Sequence, residues 1–188
     1  INVFYNHLRD QITLAQVEST HWTYVNVSEL STTGGSIGAG WDNGRWAVSA
    51  GGAVTARLDA IAIESDGPWL WTPELRGSLS RQWREQGLTA SLFWKYTGQQ
   101  VNYALVNNVD LVRGTIAPYH MADVTMSKRL FAGCITISAG CKDLFNVQNL
   151  NASLAGGVHN AGGTSVPMST GRTVFLRIEF KLERKKEA

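Results

Sequence analysis

Long stretches of this chain alternate between apolar and polar residues. In the last stretch the apolar parity consists of Val174, Leu176, Ile178, Phe180 and Leu182. The same alternation recurs at 46–57, 74–83, 88–97 and 134–142. Alternation over about ten residues gives a strand one apolar face and one polar face. Because no stretch shows the 3.6-residue period of a helix, the pattern predicts an all-β, antiparallel fold.

The connections between the predicted strands have two lengths. Eight strands are expected, at 1–15, 23–41, 45–58, 73–84, 87–98, 117–130, 133–146 and 171–182. Tight turns are expected at 42–45, 84–87 and 130–133, and long connections at 58–72, 98–117 and 147–170. The Asn43-Gly44 pair in the first turn is typical of a hairpin. Since short and long connections alternate, the short turns share one end of the strands, as in outer-membrane β-barrels.

Aromatic residues recur near both ends of the predicted strands. Those at the tight turns are Trp41, Trp46, Trp83 and Phe131. Trp94 and Tyr96 lie beyond Gly87 by a height of roughly 16–21 Å in a tilted strand. Two aromatic belts at this separation are typical of a protein that spans a bilayer. The alternative is that these residues form the ordinary core of a soluble sandwich.

Composition and charge agree with a membrane setting and do not support a helical membrane protein or a nucleic-acid-binding protein. The chain has 188 residues, of which 44% are hydrophobic and only 17% charged, with seven Trp. No run of 18 apolar residues is present, so the sequence predicts no transmembrane helix. The net charge of +2 gives no reason to expect a nucleic-acid partner.

Charged residues fall on the parity opposite to the apolar one. They are expected to point into a lumen, because a charge facing lipid costs a few kcal/mol. The residues expected to face the lumen are Arg57, Arg76, Lys95, Arg177 and Glu179. They would line a substrate path, contact a plug, or form mutual ion pairs that keep the interior hydrated.

Two short motifs near the end of the chain carry a family resemblance. The block Asp143-Leu144-Phe145-Asn146-Val147 ends one predicted strand, and Gly171-Arg172 leads into the last. This arrangement resembles the C-terminal end of the barrel of TonB-dependent outer-membrane receptors. Three further stretches resemble strands of the same family in the same order: "NVFYNHLRDQITL", "YVNVSELSTTGGSIGAGW" and "APYHMADVTMSKRLFAG".

The resemblance implies a particular architecture. Residues 1–182 would form about the last eight of roughly 22 strands of a transmembrane β-barrel, followed by a polar periplasmic tail at 183–188. The plug domain and the remaining strands would then lie outside this segment or in another chain. Leu144 and Phe145 would anchor the penultimate strand where it leaves the membrane.

The resemblance also implies a function. A complete receptor of this kind sits in the outer membrane of a Gram-negative bacterium and imports a scarce, bulky solute with energy supplied through TonB. The Gly-Arg ending resembles that of siderophore, haem and cobalamin importers, and the loop around 155–170 resembles Bacteroidetes members. Implied partners are the TonB complex acting through the plug, the rest of the barrel, the lipid bilayer, a small-molecule ligand and a surface lipoprotein. The candidate ligand contacts in the outer loops are Trp69, Trp71, Tyr103 and His159; Trp69 and Trp71 would alternatively belong to the outer aromatic belt.

Other functional classes receive less support. An eight-stranded structural or adhesive barrel with no transport role is the main alternative. An enzyme is not expected, because His120 has the opposite parity to Asp123 and Ser127 and cannot converge with them. No catalytic, metal or cofactor-binding residue is predicted.

The cysteines Cys134 and Cys141 are predicted to be free thiols. They fall seven residues apart on one predicted strand, which separates them by about 23 Å. A disulfide needs α-carbons within about 7 Å. Cys141 is expected to face lipid and Cys134 the lumen near the tight-turn end.

Overall fold

The computed structural model describes residues 1–17, 21–60, 69–106, 110–154 and 164–181. Within these ranges, twelve strands form a single sheet. The strands are β1 (Asn2–Gln16), β2 (Trp22–Asp42), β3 (Trp46–Asp59), β4 (Leu70–Trp83), β5 (Leu88–Thr97), β6 (Gln100–Val106), β7 (Asp110–Ile116), β8 (Tyr119–Leu130), β9 (Ile135–Lys142), β10 (Asn149–Leu154), β11 (Thr164–Pro167) and β12 (Thr173–Phe180). Their order in the sheet is β11-β10-β7-β6-β1-β2-β3-β4-β5-β8-β9-β12. No helix in these ranges is long and apolar enough to cross a membrane.

The eight predicted strands are confirmed as β1, β2, β3, β4, β5, β8, β9 and β12. They are consecutive neighbours in the sheet, and each pair is antiparallel. The seventh ends at Lys142 rather than at residue 146, because Asp143 takes a positive φ of 51° and turns the chain out of the sheet. Leu182 and the tail at 183–188 lie outside the described residues.

Two of the long connections are not strand-free, and that part of the prediction is wrong. The connection at 98–117 contains the hairpin β6–β7, and the one at 147–170 contains β10 and β11. The two connections pair with each other where β10 meets β7, from Ala152 opposite Ile116 to Leu154 opposite Gly114. We call β6, β7, β10 and β11, which are contiguous within the single sheet, the outer sheet. In the described residues, one parallel contact, Gln16 with Ala104, joins it to β1. Pairing between separate connections depends on tertiary structure, so strand periodicity did not reveal it.

The register sorts residues onto two faces. One row across seven strands consists of Trp41, Val48, Leu79, Leu92, Val124, Cys141 and Val174. We call the face of this row the apolar face. The opposite face, here called the charged face, carries Arg57, Arg76, Lys95, Arg177 and Glu179. These seven strands therefore present their apolar parity on the same side.

The apolar face is exposed along its length. Trp41, Leu75, Leu176 and Phe180 are among the large apolar side chains open to the surroundings. The buried apolar side chains of the described ranges are few and mostly small: Ala15, Leu30, Ala56, Tyr103, Ala122, Leu150 and Ala152. A single-layer sheet with this exposed apolar area is suited to contact with lipid rather than with water.

The first tight turn follows from its sequence. The side chain of Asn43 accepts hydrogen bonds from the backbone N–H groups of Arg45 and Trp46, at 3.0 and 2.8 Å. Gly44 has a φ of 75°, a conformation that glycine adopts without strain. These local contacts fix the register of β2 against β3.

Both cysteines are free, as predicted. Cys141 lies on the apolar face, opposite Val124 and Val174. Cys134 lies just before β9 rather than within it, and it is exposed near the tight turn between β8 and β9.

Candidate functional site

Among the described residues, two ion pairs join side chains of the charged face. Lys95 Nζ is 3.4 Å from Glu74 Oε2, and Arg177 Nη2 is 2.8 Å from Glu179 Oε2. Arg76 lies directly opposite Lys95 in the neighbouring strand. The paired side chains are all partly or largely exposed, so each pair contributes at most about 1 kcal/mol. Their presence agrees with the interpretation that these charges keep one face hydrated.

Hydroxyl groups occupy the charged face nearer the tight turns. Three cross-strand serine pairs are joined by hydrogen bonds of 2.7 to 2.9 Å: Ser49 with Ser78, Ser80 with Ser91, and Ser127 with Ser138. Arg177 lies directly opposite Ser138, so the charged face combines hydroxyl groups with charge at this end. Such a surface can be wetted or can dock against another polar surface.

A buried cluster forms where the outer hairpin β6–β7 meets the end of β3. Asp59 is 0% exposed, and Oδ2 of its carboxylate accepts a 2.8 Å hydrogen bond from the Tyr103 hydroxyl. Arg113 Nε lies 3.4 Å from the same oxygen. The guanidinium carbon of Arg57 lies 5.2 Å from the centre of the Tyr103 ring. We call these four residues the Asp59 anchor, because they fix the hairpin to β3.

The Asp59 anchor contains a protonated phenol, two guanidinium groups and one carboxylate. Burial raises the pKa of Tyr103 far above its ordinary value; Arg57 opposes this rise and the hydrogen bond to Asp59 adds to it. The phenol therefore stays protonated and donates to Asp59. Two guanidinium groups face one carboxylate, and Nε and Nη2 of Arg57 are buried without a hydrogen-bond partner among the described residues. The anchor therefore contains hydrogen-bond donors of Arg57 that have no acceptor among the described residues.

The block that follows β9 forms a second buried cluster. Asp143 is 3% exposed, and its Oδ2 accepts a 2.8 Å hydrogen bond from the backbone N–H of Val147. The hydroxyl of Ser169 lies 3.2 Å from Asp143 Oδ2 and 2.8 Å from the carbonyl oxygen of Val147. The backbone N–H of Leu144 donates to Ala122 in β8 at 2.8 Å.

The two sequence motifs meet in this cluster. Asn146 Oδ1 accepts from the backbone N–H of Arg172 at 2.9 Å, and Arg172 Nη2 donates to the carbonyl oxygen of Leu144 at 2.6 Å. Gly171 has a φ of 80°, and a Cβ added there would lie 2.6 Å from Asn146 Oδ1. We call the cluster of Asp143, Asn146, Ser169, Gly171 and Arg172 the staple. It closes the long connection between β9 and β12.

One protein family matches most of the chain. The sequence model described as TonB dependent receptor-like, beta-barrel matches residues 1–160. The chain belongs to the TonB-dependent receptor β-barrel family. Membership implies the outer membrane of a Gram-negative bacterium, interaction with TonB and a plug domain, and transport as the general function. No curated protein and no solved structure matches the chain significantly.

An aromatic cluster marks the long-loop end of the apolar face of this receptor barrel. The His120 ring lies 4.8 Å from the ring of Tyr96, 5.8 Å from that of Trp94 and 6.1 Å from that of Phe145. Phe145 of the motif thus packs at the predicted outer belt. This is the place at which the resemblance implied an anchor for the departing strand.

The candidate ligand contacts fall in different environments. Trp71 lies opposite Ala56 on the apolar face and is 55% exposed, a placement that suits the outer aromatic belt. Trp69 precedes β4 and is partly exposed. Tyr103 is buried and its hydroxyl is held by Asp59. His159 lies outside the described residues. Among the described ranges, no group of three or more His, Cys, Asp or Glu side chains is arranged to hold a metal ion.

Sequence reasoning missed Asp59, Asp143 and Ser169 as structural centres. Asp143 is the first residue of the recognised block, so its position was a usable signal. Asp59 is the last residue of β3 and Ser169 lies in the connection before β12, and their partners are distant in sequence.

Proposed function

We propose that this chain is part of a receptor that imports a scarce, bulky solute of the siderophore, haem or cobalamin class, with energy supplied through TonB. The family match over residues 1–160 carries the proposal. The Gly171-Arg172 ending, which resembles that of these importers, supports this solute class over others. In this proposal the long-loop end of the sheet is extracellular and the tight-turn end periplasmic.

The charged face lines the lumen and contacts the plug. Its ion pairs and serine pairs satisfy many of its polar groups, and this suits a water-filled or plug-filled interior. Arg57, Arg76, Lys95, Arg177 and Glu179 all belong to this lumenal wall. Arg57 has buried donors without a described partner, so an acidic group of the plug or of the solute would complete its hydrogen bonds.

The ligand reaches the lumen past the outer sheet formed by β6, β7, β10 and β11. Trp69, Tyr103 and His159 remain the proposed contacts at this end, with Trp69 offering a flat surface on which a ring system stacks. Trp71, on the apolar face, is proposed to belong to the outer aromatic belt instead. Tyr103 contacts a ligand only if the Asp59 anchor opens.

The sheet topology argues against a separate eight-stranded barrel. Such a barrel needs β1 and β12 to pair along their length. In the described residues β12 pairs only with β9, whereas the second edge of β1 contacts β6 at a single position. Both edges are available for further strands of a larger barrel.

The import proposal is tested in the full-length receptor that contains this segment. Uptake of a labelled ferric siderophore, haem and cobalamin is measured in an outer-membrane host that lacks its own receptors, with TonB present or absent. We expect uptake of one of the three classes, and only with TonB. Failure of all three, or uptake that persists without TonB, would refute the proposal.

Neighbouring substitutions in β9 test which face meets lipid. Ile137→Arg places a charge on the apolar face opposite Lys128, in the row of Trp83 near the interface, and should destabilise the full-length receptor by about 1 kcal/mol. Ser138→Arg, on the charged face, is the matched control and should have little effect. The measurement is the free energy of unfolding from lipid vesicles. Equal losses at the two positions would contradict the assignment of the faces.

A further inference from the structure

A cationic cluster with two tryptophans lies at the tight-turn rim of the apolar face. Arg81 lies directly opposite Trp46 in β3 and two residues before Trp83, on the same face as Leu79. Its guanidinium carbon lies 4.7 Å from the centre of the Trp46 ring and 4.6 Å from that of Trp83. These contacts hold the charged group on a face that is mainly apolar and that also carries Lys128 near this rim.

The two neighbouring turns add further positive charge. Arg45 and Arg84 line the same cavity as Arg81, which has a volume of about 450 Å³. Arg84 Nε donates to the carbonyl oxygen of Gly44 at 3.1 Å, and this bond ties the two turns together. Among the described residues that line the cavity, Glu85 is the one carboxylate, so three guanidinium groups face one acid there.

Arg81 lacks an acidic partner in the part of the chain that the structure describes. Its cross-strand neighbours are Trp46 and Ala90, and no ion pair or hydrogen bond of its guanidinium is found there. A charge on the lipid-facing side of a barrel is costly at the midplane and tolerated near the interface. A guanidinium whose face contacts indole rings still presents its N–H donors in its own plane, where they match two oxygens of a phosphate.

We propose that Arg81, Arg45 and Arg84, with Trp46 and Trp83, form a binding site for the phosphodiester headgroup of an anionic phospholipid in the periplasmic leaflet. The guanidinium groups bind the phosphate oxygens. The two indoles lie at the level of the headgroup and glycerol, the usual position of tryptophan at a membrane interface. Basic residues at such a boundary attract anionic lipids, so the site selects phosphatidylglycerol over phosphatidylcholine.

Native mass spectrometry of the delipidated full-length receptor in detergent tests the site. Phosphatidylglycerol is titrated against the wild type, Arg81→Gln and Arg76→Gln, with phosphatidylcholine as the neutral lipid. Arg76 is the matched control, because it lies on the same strand but on the charged face. We expect Arg81→Gln to weaken the tightest phosphatidylglycerol binding by about tenfold, as the loss of charge-assisted hydrogen bonds predicts, and Arg76→Gln to leave it unchanged.

Each other result overturns the proposal. Unchanged binding in Arg81→Gln, an equal loss in Arg76→Gln, or equal retention of phosphatidylcholine would each exclude a selective site at Arg81. Complete competition by millimolar inorganic phosphate would assign the cluster to a free anion rather than to a lipid. If Arg81→Gln does not assemble, Arg81→Lys decides: it keeps the charge but loses the paired donors, so unchanged affinity would equally refute the site. None of these measurements depends on which solute the receptor imports.

Discussion

Two buried carboxylates hold the long connections at the same end of the sheet, and they differ in where their partners lie. Asp143 in the staple bonds to Val147 and Ser169, which belong to the connection that it closes. Asp59 in the anchor bonds to Tyr103, which is 44 positions away in the hairpin β6–β7 that follows β5. The staple therefore closes the connection between β9 and β12, whereas the anchor holds the hairpin β6–β7 against the end of β3.

The chemistry of the two clusters differs as well. The staple relies mainly on backbone groups, which cannot change charge, and on a glycine that leaves room for Asn146. The anchor relies on ionisable side chains and leaves donors of Arg57 unused. We expect the staple to behave as a permanent part of the barrel and the anchor as a weaker, pH-dependent contact.

Removing the carboxylate of the staple should have the largest effect. Asp143→Ala deletes the acceptor for the Val147 N–H and a partner of the Ser169 hydroxyl, and should cost about 3 kcal/mol of the free energy of unfolding of the full-length receptor. Asp42→Ala is the control, because Asp42 is exposed and accepts one bond from Gly44 at the tight-turn end. A loss at Asp143 no greater than that at Asp42 would show that the staple is not structural.

Filling the space inside the staple should have the next largest effect. Gly171→Ala adds a Cβ in a strained conformation and against Asn146 and Gln148, so we expect a loss of about 2 kcal/mol. Gly133→Ala separates the two causes, since Gly133 has a φ of 96° but nothing within 4 Å of an added Cβ. Chemical unfolding of both variants measures the difference. Equal losses would mean that backbone conformation alone, and not the fit to Asn146, requires glycine.

Loosening the anchor should have a smaller and more local effect. Tyr103→Phe removes the hydrogen bond to Asp59 and should cost about 1–1.5 kcal/mol, with faster protease cleavage in the connection between β5 and β8. Tyr5→Phe is the matched control, because the Tyr5 side chain is largely exposed. If cleavage accelerates equally between β9 and β12, the anchor and the staple are one cooperative unit and the distinction between them is lost.

Alkaline pH should weaken the anchor alone. The pKa of Tyr103 is raised in the folded state, so its contribution to stability is complete below the unfolded value of about 10 and is lost as the pH rises above it. Cleavage between β5 and β8 should therefore accelerate above about pH 10 in the wild type, and Tyr103→Phe should lack this component of the acceleration. A pH response that is identical in both proteins would exclude Tyr103 as its source.

The motif residues show how far sequence reasoning reached. Leu144, Phe145, Asn146, Val147, Gly171 and Arg172 were recognisable as a family signature. Phe145 was expected to anchor the strand where it leaves the membrane, and its ring contacts that of His120. The joining of Asn146 to Arg172 across the connection was not predictable from periodicity, because that bond forms between residues 26 positions apart. Arg81 was overlooked because it lies on the apolar parity, where the pattern anticipates no charge.

The sequence by itself determined the eight long strands of the sheet, its apolar and charged faces, and the tight turns. These depend on the two-residue period of side chains and on local residues such as Asn43 and Gly44, so each is encoded within a few neighbouring positions. Only the tertiary structure decided that β6, β7, β10 and β11 form an outer sheet and that Asp59 meets Tyr103 and Arg113. Those contacts join segments that are distant in sequence, and they form only because the long strands bring these segments close together.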